Sequence, residues 1–200
     1  ATAPACDRAA AIPSGCAAFA AALRDRVRHV LVIYAEHRSF DHLLADFPGL
    51  EQPIPRRRPA VAFYKPQGDL DMHAGYSDVE AGDRHIAQVV DARQRSALWP
   101  HAVVVTFDEN GGWWDHVAPA RGARWGPGTR IPALVISPHA KRGHVEHTVY
   151  DTGSIQRFLN RRFGLEPLPG IVMRDRAMIA AGGQAPDDLT ETLRFAPDAA

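Results

Sequence analysis

Three near-continuous apolar runs stand out along the chain: His29-Val-Leu-Val-Ile-Tyr34, His101-Ala-Val-Val-Val-Thr-Phe107 and Ile131-Pro-Ala-Leu-Val-Ile136. A half-buried strand alternates apolar and polar residues; an uninterrupted run suits a strand covered on both faces, as in a parallel sheet. The third run has Pro132 near its start, which fits a strand start or an edge. A shorter run at Val61–Tyr64 predicts one more strand. Helical periodicity lies between these runs. Ser14 can cap a helix over Cys16–Arg28 with Phe19 and Leu23 on its apolar side. Ile86, Val89, Val90 and Ala97 predict a helix over Asp83–Leu98. Ile155, Phe158, Leu159 and Phe163 predict one over Thr152–Phe163, with Gly164 as its stop. Residues 65–82, with Gly68, Gly75 and Gly82, read as irregular, and the tail from Pro167 as partly helical at best. Residues 50–60, rich in proline and carrying Arg56-Arg57-Arg58, read as the clearest loop. The strand–helix order predicts an α/β fold with a mostly parallel central sheet and flanking helices. We expect one domain over residues 1–200, with residues 1–14 as an N-terminal extension.

Composition narrows the partners. Basic and acidic residues balance at 23 each, so nothing favours nucleic acid or an anionic membrane as the main partner. No apolar run reaches the length of a transmembrane segment. The opening Ala-Thr-Ala-Pro-Ala-Cys suits the mature end of an exported chain. Cys6 and Cys16 are either one small-loop disulfide or two free thiols; we expect the disulfide, which would tie down a loose N-terminus.

The chemistry collects where apolar runs stop. In parallel α/β folds ligands bind beyond the carboxyl ends of strands. The first run ends in Glu36-His37 and the second in Asp108-Glu109-Asn110-Gly111-Gly112. A core strand needs no carboxylate at its mouth, whereas a metal site does. Glu36, His37, Asp108 and Glu109 are therefore the candidate ligands of a divalent metal ion. Gly111 and Gly112 would let the backbone turn tightly. The competing reading makes Glu36 and Asp108 helix caps. Asp41 and His42 read as local helix-start and packing residues. Asp115-His116 and the pair His144 and His147 are further candidates, set against a reading as polar loops. His73 is either a surface residue or a group for proton transfer and anion binding. Trp113 and Trp114 either wall a site or anchor packing. Ser39, Ser77 and Thr106 are possible hydroxyl nucleophiles, but none lies in a Gly-x-Ser-x-Gly elbow. No Walker loop, Gly-x-Gly-x-x-Gly motif or cysteine-based zinc cluster is readable.

These strings, together, resemble the bacterial phosphoesterase family of acid phosphatases and phospholipases C. The likeness runs through residues 29–42, Phe63-Tyr-Lys-Pro-Gln-Gly68, His73-Ala-Gly-Tyr-Ser77 and Val105–Pro119. It continues through Trp125–Pro132, Ser137–Lys141, His147–Thr152 and Arg162–Leu168. The resemblance implies an alkaline-phosphatase-like core, secretion or a periplasmic location, and metal-dependent hydrolysis of a phosphomonoester or phospholipid. It implies metal ligands at Glu36 and in Asp108-Glu109, and His73 as a residue contacting the phosphoryl or leaving group; His73, Asp108 and Glu109 form the expected catalytic set. Family members usually carry asparagine where this chain has His37; imidazole ligates transition metals and can change which metal is preferred. They also carry a longer segment, holding a serine or threonine nucleophile, between Phe-Pro-Gly and Phe-Tyr-Lys-Pro. Here thirteen residues separate Gly49 from Phe63, and no residue inherits that role. His116 and His147 are expected in the outer part of the site. The alternatives are a catalytically weak or inactive metal- or phosphate-binding relative, and an esterase of another class using Ser39.

Overall fold

A computed structural model of the chain describes residues 14–28, 30–35, 61–96, 99, 102–120, 122 and 127–195. The elements run in the order α1 (Ser14–Arg26), β1 (Val30–Ala35), β2 (Val61–Tyr64), a 3-10 turn at Gly68–Leu70, and α2 (Val79–Gln94). There follow β3 (Ala102–Phe107), β4 (Ala133–Ile136), α3 (Thr152–Phe163), α4 (Pro169–Ala180) and a 3-10 turn at Thr190–Thr192. The chain divides into two compact units, one holding Arg28–His116 with Arg130–Pro138, the other Ala1–Val27, Val117–Thr129 and His139–Ala200. The α/β class expected from the sequence is observed.

The first unit is built on a sheet of order β2-β1-β3-β4. β1 pairs in parallel with β2, Val30 opposite Val61, and with β3, Val30 opposite Ala102 and Ala35 opposite Phe107. β3 pairs antiparallel with β4, Val104 opposite Val135. A parallel partner needs a crossover that carries the chain back along the sheet. No helix is present between β3 and β4 among the described residues, so β4 enters from the opposite direction as an edge. Its Ala133 and Leu134 are exposed, as the early Pro132 foreshadows. β3 is buried from Ala102 to Thr106 on both faces, the reason its sequence is apolar without alternation. Val103 and Val105 pack against Tyr64 of β2, Ile86 and Val89 of α2, and Ile136 of β4.

α2 begins four residues before the expected Asp83 and ends at Gln94 rather than Leu98. Asp78 caps it by accepting from the Ala81 N–H at 2.6 Å. Gly82, which reads as a loop signal, sits buried in its first turns because Met72 occupies the space a side chain would need.

In the second unit, α1 buries Ala20 and Leu23, Val27 just beyond it continues the helical spacing, and Phe19 packs 5.2 Å from the Phe195 ring. α3 buries Ile155, Phe158 and Leu159 of the expected stripe, while Phe163 at its end is half-buried. Asp151 and Ser154 form a reciprocal capping box at its start, and Gly164 ends it at φ 66. α4 is a full helix of 12 residues, where only partial helix was expected. Only Met178 of it is buried, so no apolar stripe marks it in the sequence, and Pro169 supplies its first residue without losing a hydrogen bond. Asp151 also binds Arg157 at 3.2 Å and Arg174 at 2.8 Å, and Arg157 reaches on to Asp175. This network ties α3 to α4. No helix of the described residues is long and apolar enough to cross a membrane. Cys6, and residues 50–60 with their three arginines, lie outside the described residues.

Candidate active site

β3 ends at Phe107 and its chain turns at once into the acidic loop. The loop is braced by its own side chains. Asp108 Oδ1 accepts from the Glu109 N–H at 2.9 Å, and Glu109 Oε2 from the Gly111 N–H at 2.6 Å. Asn110 donates through Nδ2 to the Trp113 carbonyl at 2.7 Å, while the Trp113 N–H donates to the Asn110 carbonyl at 3.1 Å. Gly111 and Gly112 close this turn at φ 65 and 76, the left-handed region that glycine occupies without a Cβ penalty. The expected tight turn is therefore present. Asp108 and Glu109 are both exposed, and these hydrogen bonds engage one oxygen of each carboxylate.

A groove of about 640 Å³ opens beside this loop, within the sheet unit. Its lining includes His73, Asp108, Glu109, Asp115, His116 and Arg130. The three residues expected to act in catalysis, His73, Asp108 and Glu109, thus share one groove. His73 arrives on a short loop held by the buried carboxylate of Asp71, 2% exposed, which accepts the His73 N–H at 2.9 Å. Met72, just before it, adopts a left-handed φ of 69 and donates its N–H to Ser77 Oγ at 3.0 Å. The His73 ring stacks on Tyr76 at 4.4 Å, and its Nδ1 lies 2.7 Å from the Ala74 carbonyl. A carbonyl only accepts, so Nδ1 is the donor in this contact.

Arg130 and Asp115 form a two-pronged ion pair, Nε to Oδ2 and Nη2 to Oδ1, each at 2.8 Å. This pair fastens the far end of the acidic loop to the segment entering β4, and it holds the Arg130 guanidinium above its ordinary pKa, chiefly through the hydrogen bonds to Asp115. Fifteen residues separate the partners, and no local motif announces them; Arg130 was not among the expected site residues. Trp113 and Trp114 line the groove and are exposed, so the packing-anchor reading of them fails.

The remaining candidates sort differently. Thr106 is buried and donates to the Pro132 carbonyl at 3.1 Å, a structural bond that removes it as a nucleophile. Ser77 is occupied by Met72. His144 and His147 belong to the other compact unit and turn about Glu146, which sequence reading passed over. Burial pushes the Glu146 carboxyl up, but hydrogen bonds from His144 and Thr148 and the charge of Lys141 outweigh it and bring it down to about 2. A second pair was not foreseen: the Tyr64 hydroxyl lies 2.5 Å from His85 Nε2, and burial lowers the His85 pKa while Asp69 opposes it. Glu36, His37, Ser39, Asp41 and His42 lie outside the described residues.

The chemistry of the groove fits a hard cation in part. Asp108 and Glu109 offer carboxylate oxygens, the donors a divalent ion takes. Among the described residues no group of three histidine, cysteine, aspartate or glutamate side chains converges to complete a site.

Comparison with known proteins adds a family. The sequence profile of the phosphoesterase family matches residues 55–166. The non-hemolytic phospholipase C of Pseudomonas aeruginosa is 30% identical over 171 residues, covering 69% of this chain and 24% of that protein. Phospholipase C B of Mycobacterium tuberculosis is 29% identical over 169 residues, 70% of this chain and 30% of that protein. The non-specific phospholipase C1 of Arabidopsis thaliana is 30% identical over 114 residues, 44% of this chain and 21% of that protein. The chain spans less than a third of the length of each of these relatives.

Proposed function

The chain belongs to the phosphoesterase family, and on that premise we propose that its groove hydrolyses a phosphoric ester with a divalent metal ion as cofactor. The observation that carries this reading is the meeting of His73 with the Asp108-Glu109 pair in one groove at the mouth of β3. The named activities of the relatives support the ester class. We assign Asp108 and Glu109 as ligands, with Glu36 and His37 completing the set. Ala35, which precedes Glu36, pairs with Phe107, which precedes Asp108, and this register supports the assignment. A bound divalent cation supplies charge neutralisation at the phosphoryl oxygens. His73, its ring set by Tyr76 and the Ala74 carbonyl, moves a proton at Nε2 between the groove and the leaving oxygen. The substrate is a small phosphate ester or a phospholipid, the core is of alkaline-phosphatase type within a single functional domain, and the protein works outside the cytoplasm, secreted or periplasmic.

One observation favours a second reading. Among the described residues the groove is lined by no serine, threonine, tyrosine, cysteine or lysine, so no hydroxyl, thiol or amine nucleophile from them faces the site. In the hydrolase reading water is then the attacker. In the second reading the protein binds metal or phosphate without turnover. Hydrolysis of p-nitrophenyl phosphate and bis-p-nitrophenyl phosphate, with chelator and with added divalent metals, separates them. Metal-dependent release of nitrophenol supports the hydrolase; tight metal binding with no release from either ester leaves the binding protein.

A further inference from the structure

The rim of the groove carries a feature that hydrolysis does not use. Trp113 is 74% exposed and Trp114 is 85% exposed. An indole buries some 150–250 Å² when it finds a partner, so two adjacent ones left in water mark a contact surface. The Trp113 backbone is held: Asn110 is bonded to Trp113 at both ends of the glycine turn, and the Trp113 ring edge rests on Gly111. Trp113 is thus presented from a braced turn, with Trp114 next to it. Val79, 68% exposed, adds an apolar side chain to the same groove lining.

We propose that Trp113 and Trp114 dock the protein on a zwitterionic lipid surface and set the groove against the phosphate layer. A tip of two indoles is well below the roughly 800 Å² per partner of a stable protein interface. Tryptophan settles at the boundary between hydrocarbon and headgroups, where its ring is buried and its N–H stays wet. The charge around the tip selects the kind of surface. Asp108 and Glu109 are exposed beside it, the Arg130 charge is already matched by Asp115, and the whole chain sums to zero. An anionic surface gains nothing from this rim, so attachment comes from insertion rather than from charge. The inference rests on the hydrolase reading for its purpose, since it states where that groove meets its ester. Its test does not use turnover, so the two fail separately.

The test is partition onto phosphatidylcholine vesicles, read by co-sedimentation and by the blue shift of indole emission. The full chain is expected to partition, with little change on adding salt. Trp113→Ser with Trp114→Ser is expected to lower partition roughly tenfold or more. Trp113→Phe with Trp114→Phe, which keeps apolar rings, is expected to retain most of it, and circular dichroism checks that each variant is folded. No partition by the unaltered chain, equal partition by the serine variant, or attachment only to anionic vesicles and lost in salt overturns the proposal.

Discussion

Gly82→Ala is the sharpest probe of how the His73 loop is held. Alanine is the better helix former, and in an open helical position the exchange stabilises by about 1 kcal/mol. Here a Cβ would lie 2.4 Å from Met72 Cγ, 3.0 Å from Met72 Cε and 3.1 Å from the Leu70 carbonyl oxygen. The first atom is near the Met72 backbone rather than at the free end of the side chain, and that backbone is already in a left-handed conformation. Relief therefore requires the loop to move, an overpacking cost of about 1–3 kcal/mol. The cost exceeds the propensity gain, and we predict a net loss of about 1 kcal/mol. Urea denaturation of Gly82→Ala and Met72→Ala, alone and combined, reads this directly. In the Met72→Ala background both Met72 contacts are gone and only the 3.1 Å approach to the Leu70 carbonyl remains, so Gly82→Ala should now stabilise, by about 0.5 kcal/mol. The sign reversal is the signature of the contact. Stabilisation of equal size in both backgrounds refutes the reasoning.

Three other outcomes follow from the geometry. Asp151→Ala removes a helix cap and leaves Arg157, whose side chain is 9% exposed, with Asp175 alone; a loss of about 1–3 kcal/mol is expected in urea unfolding. Glu146 has its pKa lowered from 4.5 to about 2, so its contribution is complete above pH 4.5 and is lost as pH falls through about 2. Stability measured against pH should show Glu146→Gln less stable than the unaltered chain above that window and converging with it toward its acid end. His85 is held below its ordinary 6.5, so an NMR titration of its ring should show a midpoint under that value, and the stability it lends is present above 6.5 and lost as pH falls through the lowered midpoint.

What the sequence exposes is whatever contrasts sharply with its neighbours. The run Ala102–Thr106 is buried on both faces, and the carboxylates beyond it stand out because nothing in a core strand calls for them. Gly111 and Gly112 announce the turn they make, and Gly164 the end of α3. The hidden features depend on partners distant along the chain. Gly82 reads as a breaker until Met72 is seen in its place. α4 buries only Met178, and a helix held by so little apolar surface leaves no periodic trace. The direction of β4 depends on there being no crossover helix among the described residues before it, and the Asp115–Arg130 pair on two loops meeting. Asp71 is legible only in hindsight, two residues before the histidine whose N–H it accepts.

The account turns on the carboxylates at the mouth of β3 acting as metal ligands for ester hydrolysis. Turnover of p-nitrophenyl phosphate by the unaltered chain and by Asp108→Ala, each freed of metal and then titrated with divalent cations, tests this most directly. Asp108 is exposed and, among the described residues, bonded within its own loop, so the variant is expected to fold. The prediction is turnover that vanishes with chelator, returns with metal in the unaltered chain, and stays absent in Asp108→Ala at the same metal concentrations. Turnover indifferent to chelator, or equal in the two proteins, contradicts it.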